Sequence, residues 1–256
     1  MKGAGSAWGT HGVQAGFVVG FVLLWIYVGR TTLVNPIFVP PFERVVEEFV
    51  RIIVSGEVFA HLAVTLTELA VAYGIASALG LTVGYAIGRS RFAVAVFEPL
   101  LAGLYAVPLV IFLPLFILIL GLGSESKMAF GATLAFFPIV LNTIGGVSQV
   151  DSFLVTVARS LGATDAQMFK RVFLPAALPV IITGIRIGFI LGFLAILGAE
   201  MIASFAGLGN QIVRLAEGMR MPQMFAYVLF VILIATLLNG ALSYMQARFS
   251  HPSGGA

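Results

Sequence analysis

Long apolar runs alternate with short polar segments along this chain. A helix needs about 20 apolar residues to cross roughly 30 Å of hydrocarbon. The pattern predicts transmembrane helices at residues 12–33, 62–88, 97–122, 127–149, 175–203 and 223–247. We therefore expect an all-α integral membrane protein with about six spans, a single transmembrane domain over residues 1–256 and a disordered tail at 250–256.

Two further patterns concern helix packing. The segment PFERVVEEFVRIIVSG, between the first two spans, predicts an amphipathic helix that is either solvated or lies in the membrane interface. Glycines recur every four residues at Gly80, Gly84 and Gly88, and again at Gly184, Gly188 and Gly192. Such strips allow close helix approach, and we favour packing within the chain over a seam between subunits.

The stretch ARSLGATDAQMFKRVFLPAALP is the most polar part of the chain. The helix that leads into it from Asp151 has one apolar stripe at helical spacing, formed by Leu154, Val157, Ala158 and Leu161. Gly162 is a natural left-handed stop, and Thr164 with Gln167 forms a capping-box pattern for a second helix. The sequence therefore predicts a helix, a glycine turn and a helix, which either connect two spans or bind another protein.

Composition limits the possible functions. The chain is 60% hydrophobic and 10% charged, whereas soluble domains carry about 25% charged residues. It has no cysteine, which excludes disulfides and thiolate metal sites. We find no catalytic or metal-binding constellation and no phosphate-binding loop. Any work against a gradient must therefore draw energy from another subunit or from an ion.

Charges within or near the spans are candidate functional residues, because burying one costs about 2.5–3.5 kcal/mol. Glu200 either lines a pathway or braces a gate, or it is an interfacial acid. Arg186 either extends towards the cytoplasm or forms a structural pair, and Glu68 is expected at the interface. Further candidates for the pathway or gate are Met201, Pro108 and Phe112.

Four segments together resemble a known family. The family motif is EAA, three residues, Gly, nine residues and I-x-L-P, and here Gly162 is followed at that distance by VFLP ending at Pro175. This resembles the cytoplasmic loop of binding-protein-dependent ABC importer permeases. The segments FVPPFERVVEEF, FFPIVLNTIGGVSQVD and GAEMIASFAGLGNQI resemble the nitrate, sulfonate and taurine branch. The chain departs from the motif at its start, where Thr156 stands in place of Glu.

The resemblance implies a permease that forms the pathway for a small solute such as a sulfonate, nitrate or similar anion. A periplasmic or lipid-anchored solute-binding protein would deliver the solute, and two partner subunits would bind ATP and magnesium. A second permease copy is expected, but no nucleic acid. The coupling loop would be residues 151–174, and the coupling helix would comprise Thr156, Val157, Ala158, Arg159, Ser160, Leu161, Gly162, Ala163 and Thr164.

The implied location is the bacterial inner membrane, with a cytoplasmic amino terminus that the distribution of Lys and Arg weakly favours. Two other functions stay open at this point. A gradient-driven secondary transporter often shows inverted repeats, and we find none that is convincing. An intramembrane enzyme would need catalytic residues that the sequence does not show.

Overall fold

The computed structural model describes residues 4–31, 35 and 38–249, and its regular elements are helices. They are α1 (Ala4–Arg30), α2 (Phe42–Val54), α3 (Glu57–Gly88), α4 (Arg91–Ala106), a 3-10 turn (Leu109–Phe112), α5 (Leu113–Leu120), α6 (Ser124–Ser148), α7 (Ser152–Ser160), α8 (Asp165–Met168), a π-helical turn (Phe169–Phe173), α9 (Leu174–Ile202), α10 (Leu208–Glu217) and α11 (Met221–Phe249).

Four helical segments of the described chain are long and apolar enough to cross a membrane. They are Glu57–Gly88, Ser124–Ser148, Asp165–Ile202 and Met221–Tyr244. A bent pair, Arg91–Ala106 with Leu109–Leu120, makes five if it counts as one span. The span predicted at residues 12–33 overlaps α1, whose apolar part Gly16–Arg30 is shorter, and the last two residues of that span lie outside the described residues. The all-helical membrane fold is confirmed, but the count of six is not; the predicted tail lies outside the described residues.

The bend between α4 and α5 has a local cause. Val107 ends α4 with an extended backbone (ψ 136°), as expected for a residue that precedes proline. Pro108 supplies no N–H to continue the helix, and the chain resumes as the 3-10 turn that leads into α5. The two halves differ in direction by 76°. The span predicted at residues 97–122 is therefore broken at Pro108.

The described residues separate into two compact units. The first comprises the chain up to Phe59 together with Gln211–Ile232. In it the amphipathic helix α2 buries Val45 and Ile52 completely. Aromatic rings surround this helix: Trp25 packs edge-on against Phe42 at 5.6 Å between ring centroids, and Phe49 lies 6.5 Å from Phe230. The apolar face predicted for this segment therefore packs within the first unit.

The second unit comprises Ala60–Asn210 and the chain from Leu233 onward, and the packed pair α6 and α9 runs through it. Both glycine strips face α6. A methyl group added at Gly84 would lie 2.5 Å from the Thr143 Cβ, and one added at Gly184 would lie 2.5 Å from the Asn142 Cβ. The glycines thus allow α3 and α9 to approach α6 closely, which confirms packing within the chain.

Candidate functional site

The first helix of the predicted coupling loop is α7, at Ser152–Ser160. Its amino-terminal cap is Asp151, whose carboxylate accepts a hydrogen bond from the Phe153 N–H at 2.8 Å. Gly162 follows the helix with φ +74°, a left-handed conformation that commonly ends helices and that glycine adopts without the strain a Cβ introduces. The predicted glycine turn is confirmed.

The second helix begins with the predicted capping box. The Thr164 hydroxyl accepts the Gln167 N–H at 3.3 Å, and the Gln167 side-chain oxygen accepts the Thr164 N–H at 2.9 Å. Helix α8 then continues through the π-helical turn into α9, so Asp165–Ile202 is one long helical run. The π-helical turn, Phe169–Phe173, ends two residues before Pro175.

The apolar stripe of α7 is divided between two environments. Ala158 and its neighbour Val155 pack against a buried cluster that contains Met168 and Phe173. Leu154, Val157 and Leu161 instead point outward, with 50%, 39% and 82% of their surface exposed. The stripe was predicted from spacing as a single face, but only part of it anchors the helix. The rest is an exposed apolar face, which we define as Leu154, Val157 and Leu161.

Glu200 is completely buried, near the end of α9. Its carboxylate accepts the Thr65 hydroxyl at 2.7 Å and the Gly209 N–H at 2.8 Å. The Thr65 oxygen in turn accepts the Leu208 N–H at 3.0 Å. The first two N–H groups of α10 are thereby satisfied by side chains from α3 and α9. The interfacial interpretation of Glu200 is wrong, because the carboxylate has no access to solvent.

A buried ion pair lies in the same unit. The Lys127 ammonium is 2.5 Å from the Glu68 carboxylate, and the two side chains are 4% and 2% exposed. Lys127 also donates to the Ser204 hydroxyl at 2.7 Å, and Ser204 donates to the Ala206 carbonyl at 2.6 Å. Glu68, which was expected at the membrane interface, is thus buried within the second unit, and its depth in the membrane stays a prediction. A buried charge is tolerated here because an opposite charge neutralises it.

Glycines make room for these side chains in the segment that joins α9 to α10. Gly207 has φ +106°, and a Cβ there would overlap the Glu200 carboxylate. A Cβ at Gly209 would approach the Leu197 carbonyl and lie 2.9 Å from the Glu200 Cβ. Neither position accepts a larger residue without displacing Glu200. The buried polar cluster, defined as Thr65, Glu68, Lys127 and Glu200 together with the half-buried Ser204, is thus closely fitted to this segment.

The other pathway candidates lie in different elements. Met201 follows Glu200 on α9 and is 45% exposed. Pro108 precedes the 3-10 turn, and Phe112 ends that turn and lines a small apolar pocket with Leu109 and Phe130. Their role in a pathway stays a prediction. Arg186 donates to the Asn239 and Gln246 side chains at 3.2 and 3.4 Å, which confirms a structural polar pairing.

Sequence reasoning did not identify Thr65, Lys127 or Ser204 as members of a buried cluster. One signal was present: Thr65 and Glu68 are three residues apart in a largely apolar helix, so they share a face. The pairing of that face with Lys127 depends on how α3 packs against α6, which spacing does not reveal. In the part of the chain that the structure describes, no group of three or more His, Cys, Asp or Glu side chains is placed to hold a metal ion.

Several apolar helices with a buried polar cluster and a capped loop with an exposed apolar face define a polytopic helical membrane protein. Residues 76–251 match the family described as "Binding-protein-dependent transport system inner membrane component". The chain belongs to this family. It is therefore a multi-pass inner-membrane permease component of an importer, in which ATP is hydrolysed by a separate subunit.

Two relatives agree with this assignment. The chain is 31% identical to the taurine transport system permease protein TauC of Escherichia coli K12, over 93% of this chain and 88% of TauC. It is 30% identical to the nitrate import permease protein NrtB of Synechocystis, over 72% of this chain and 66% of NrtB.

The fold is similar to a chain of the inward-facing MetNI methionine ABC transporter, with a TM-score of 0.62 and 18% identity. This similarity covers 75% of our chain and 95% of that chain. This similarity shows that the two chains share a fold, and it carries no information about the solute of our chain. The alternative of a gradient-driven transporter finds no support among these proteins.

Proposed function

We propose that residues 151–174 form the coupling loop through which the ATP-binding subunits act on the permease. The observation that carries this proposal is the exposed apolar face of Leu154, Val157 and Leu161. It lies in a segment that also exposes Asp151, Arg159, Asp165 and Lys170, which is too polar to be immersed in lipid. An apolar face next to so many charges is typical of a surface that binds another protein.

The coupling helix predicted at Thr156–Thr164 overlaps the end of α7, the glycine turn and the cap of α8. Val155 and Ala158 pack against the cluster that contains Phe173, at the start of α9. A displacement of α7 by a partner bound to its exposed face would therefore displace the start of α9. Helix α9 carries Glu200 at its other end. We propose that the ATP-driven movement reaches the pathway along α9.

The proposed solute is a small anion such as a sulfonate or nitrate. This proposal rests on the names of TauC and NrtB, which describe taurine transport and nitrate import. A solute-binding protein would deliver the anion at the outer face. We further propose that two copies of the chain form the permease, with two ATP-binding subunits at the cytoplasmic face and the amino terminus of each copy in the cytoplasm.

The docking proposal is tested by placing a charge on the exposed apolar face. Val157→Asp should reduce co-purification of the ATP-binding subunit several-fold, because a carboxylate would be desolvated in the interface. Ser160→Asp is the matched control, since Ser160 is exposed on the same helix but lies outside the apolar face. Membrane levels of both variants should equal those of the unmodified chain. Unchanged co-purification of Val157→Asp would contradict the docking role.

A further inference from the structure

An open pocket of about 370 Å³ lies among the ends of α3 and α6 and the starts of α4 and α7. Three arginines line it: Arg89, Arg91 and Arg159. No carboxylate is among its lining residues. The ion pairs of the described residues involve other cations, namely Arg30, Arg51 and Lys127. The pocket therefore concentrates positive charge, and none of its three arginines forms an ion pair with a described side chain.

Two helices begin at this pocket. Arg91 is the first residue of α4, and Ser152 is the first residue of α7; both line the pocket. Helix amino termini carry partial positive charge and free N–H groups, so their field adds to that of the arginines. The Asp151 carboxylate caps α7 by accepting the Phe153 N–H, and its charge offsets part of the field at that terminus, but the three arginines leave the pocket positive. The arrangement favours an anion with several oxygen atoms.

The pocket side of α7 differs from its exposed apolar face. Ser152, Val155, Thr156 and Arg159 line the pocket, and their spacing places them on one side of the helix. Leu154, Val157 and Leu161 do not line it. Helix α7 thus has two separate surfaces, and an ATP-binding subunit on the apolar face would leave the pocket open from the other side.

The residue at position 156 leaves the arginines without a carboxylate. The family motif has Glu where this chain has Thr156, and the Thr156 hydroxyl donates to the Ser152 carbonyl at 2.8 Å. A glutamate at this position would project into the same pocket as Arg89, Arg91 and Arg159. With threonine there, an anion from outside the chain can take the place of the missing carboxylate.

The surroundings of the pocket are apolar on one side. Val94, Ala95 and Val150 contribute to its lining, and it shares Val147 and Phe173 with a second cavity of about 270 Å³. That second cavity is lined mainly by apolar residues of α3, α6 and α9, among them Leu81, Leu178, Ile181 and Ile185. A charged pocket beside an apolar cavity matches a phosphate head beside an acyl chain, and basic pockets between membrane helices bind such headgroups.

We infer that the pocket of Arg89, Arg91 and Arg159 binds a phosphate group, carried either by an anionic phospholipid or as the free ion. Guanidinium groups bind phosphate oxygens through paired, charge-assisted hydrogen bonds, which is why arginine recurs at such sites. The site differs from the solute pathway and from the docking face. Its occupant would hold α4 and α7 together beside the coupling loop. The inference does not depend on the proposed solute.

The test uses the purified full chain in a non-ionic detergent. Native mass spectrometry measures retention of added phosphatidylglycerol against phosphatidylcholine, and calorimetry measures binding of inorganic phosphate to the delipidated protein. Preferential retention of phosphatidylglycerol identifies a lipid source, and binding of inorganic phosphate without lipid preference identifies the free ion. Binding of neither probe would overturn the inference.

Variants locate the binding. Arg159→Gln and Thr156→Glu should each weaken binding of whichever phosphate probe binds the unmodified chain by roughly tenfold or more. The first variant removes a charged hydrogen bond, and the second adds a carboxylate that repels phosphate. The matched controls are Arg171→Gln and Ser160→Glu, which make the same charge changes at exposed positions outside the pocket lining. Both controls should bind as the unmodified chain does. Equal weakening in variants and controls would show a general charge effect and would overturn the site.

An interaction between these arginines and acidic groups of the ATP-binding subunit is a competing explanation, and a further variant distinguishes it. In that case neither phosphate probe would bind, and Arg89→Gln, at a pocket position outside the coupling loop, would lower co-purification of the ATP-binding subunit. In our proposal Arg89→Gln loses probe binding while co-purification is retained. Val157→Asp should show the reverse, with normal probe binding and reduced co-purification. The proposal of a phosphate site and the proposal of a docking face are thereby tested separately.

Discussion

The Thr65 hydroxyl donates a 2.7 Å hydrogen bond to the Glu200 carboxylate, although the two residues are 135 positions apart in sequence. Both side chains are completely buried. Each also receives an N–H from the start of α10, Glu200 from Gly209 and Thr65 from Leu208. The pair therefore joins three helices through four polar groups, and each group has a partner. Such a network is stable only while complete.

Glu200→Gln should reduce transport strongly while the chain still inserts. The amide is isosteric but has one oxygen to accept with, so either the Gly209 N–H loses its acceptor or the Thr65 hydroxyl must turn its proton to the His61 carbonyl. A buried polar group left unsatisfied costs roughly 1–3 kcal/mol. Uptake and thermal unfolding are the measurements, and Glu217→Gln at an exposed position is the control. Unchanged uptake and stability in Glu200→Gln would contradict the bracing role.

Lys127→Met should destabilise the protein severely, by about 3–5 kcal/mol, because Glu68 would be left buried and unpaired. Adding Glu68→Leu should recover most of the loss, since removing both charges also removes the desolvation penalty. Thermal unfolding of the two single variants and the double variant gives the coupling energy. A double variant no more stable than Lys127→Met would show that the ion pair does not account for the effect.

The sequence predicted the helix, glycine turn and capped second helix within residues 151–174 well, because the signals for them are local. Gly162, Thr164 and Gln167 specify a turn and a cap through contacts within a few residues of one another. The partners of Glu68 and Glu200 could not be predicted in this way. They come from other helices, and a pattern of apolar residues shows which positions are buried without showing which faces meet. The same limit explains why the apolar stripe of α7 is partly buried and partly exposed. Periodicity places these residues on one side of the helix but does not show which of them another element covers.

Gly84→Ala should loosen the packing of α3 on α6. A methyl group there would lie 2.5 Å from the Thr143 Cβ and 2.9 Å from the Val140 carbonyl, so a helix must move. Overpacking of this kind costs about 1–3 kcal/mol. Gly74→Ala on the same helix is the control, since nothing lies within 4 Å of its added methyl. That variant should be neutral or slightly more stable, because alanine favours helix. Equal melting temperatures of the two variants would contradict the close approach.

The proposed orientation predicts the side from which single cysteines react, and the chain has no native cysteine to interfere. Ser160→Cys in the coupling loop should react with a membrane-impermeant maleimide only in inside-out vesicles. Glu125→Cys, at the start of α6, should react in right-side-out cells. Both positions are exposed, whereas the adjacent Ser126 is fully buried and would report poorly. The opposite labelling pattern would reverse the proposed orientation and place the docking face outside.

Gly162→Val tests the turn between α7 and α8. Nothing lies within 4 Å of a Cβ built at Gly162, so the cost is conformational: at φ +74° a residue with a Cβ loses roughly 1–2 kcal/mol, and a β-branched one more. The turn should shift and carry Leu161 away from the docking face, which lowers ATP-binding-subunit co-purification and uptake while membrane levels stay normal. Gly162→Ala should be milder, and Gly162→Asn milder still, because asparagine tolerates this conformation. Full co-purification with full uptake in Gly162→Val would remove the turn from the coupling mechanism.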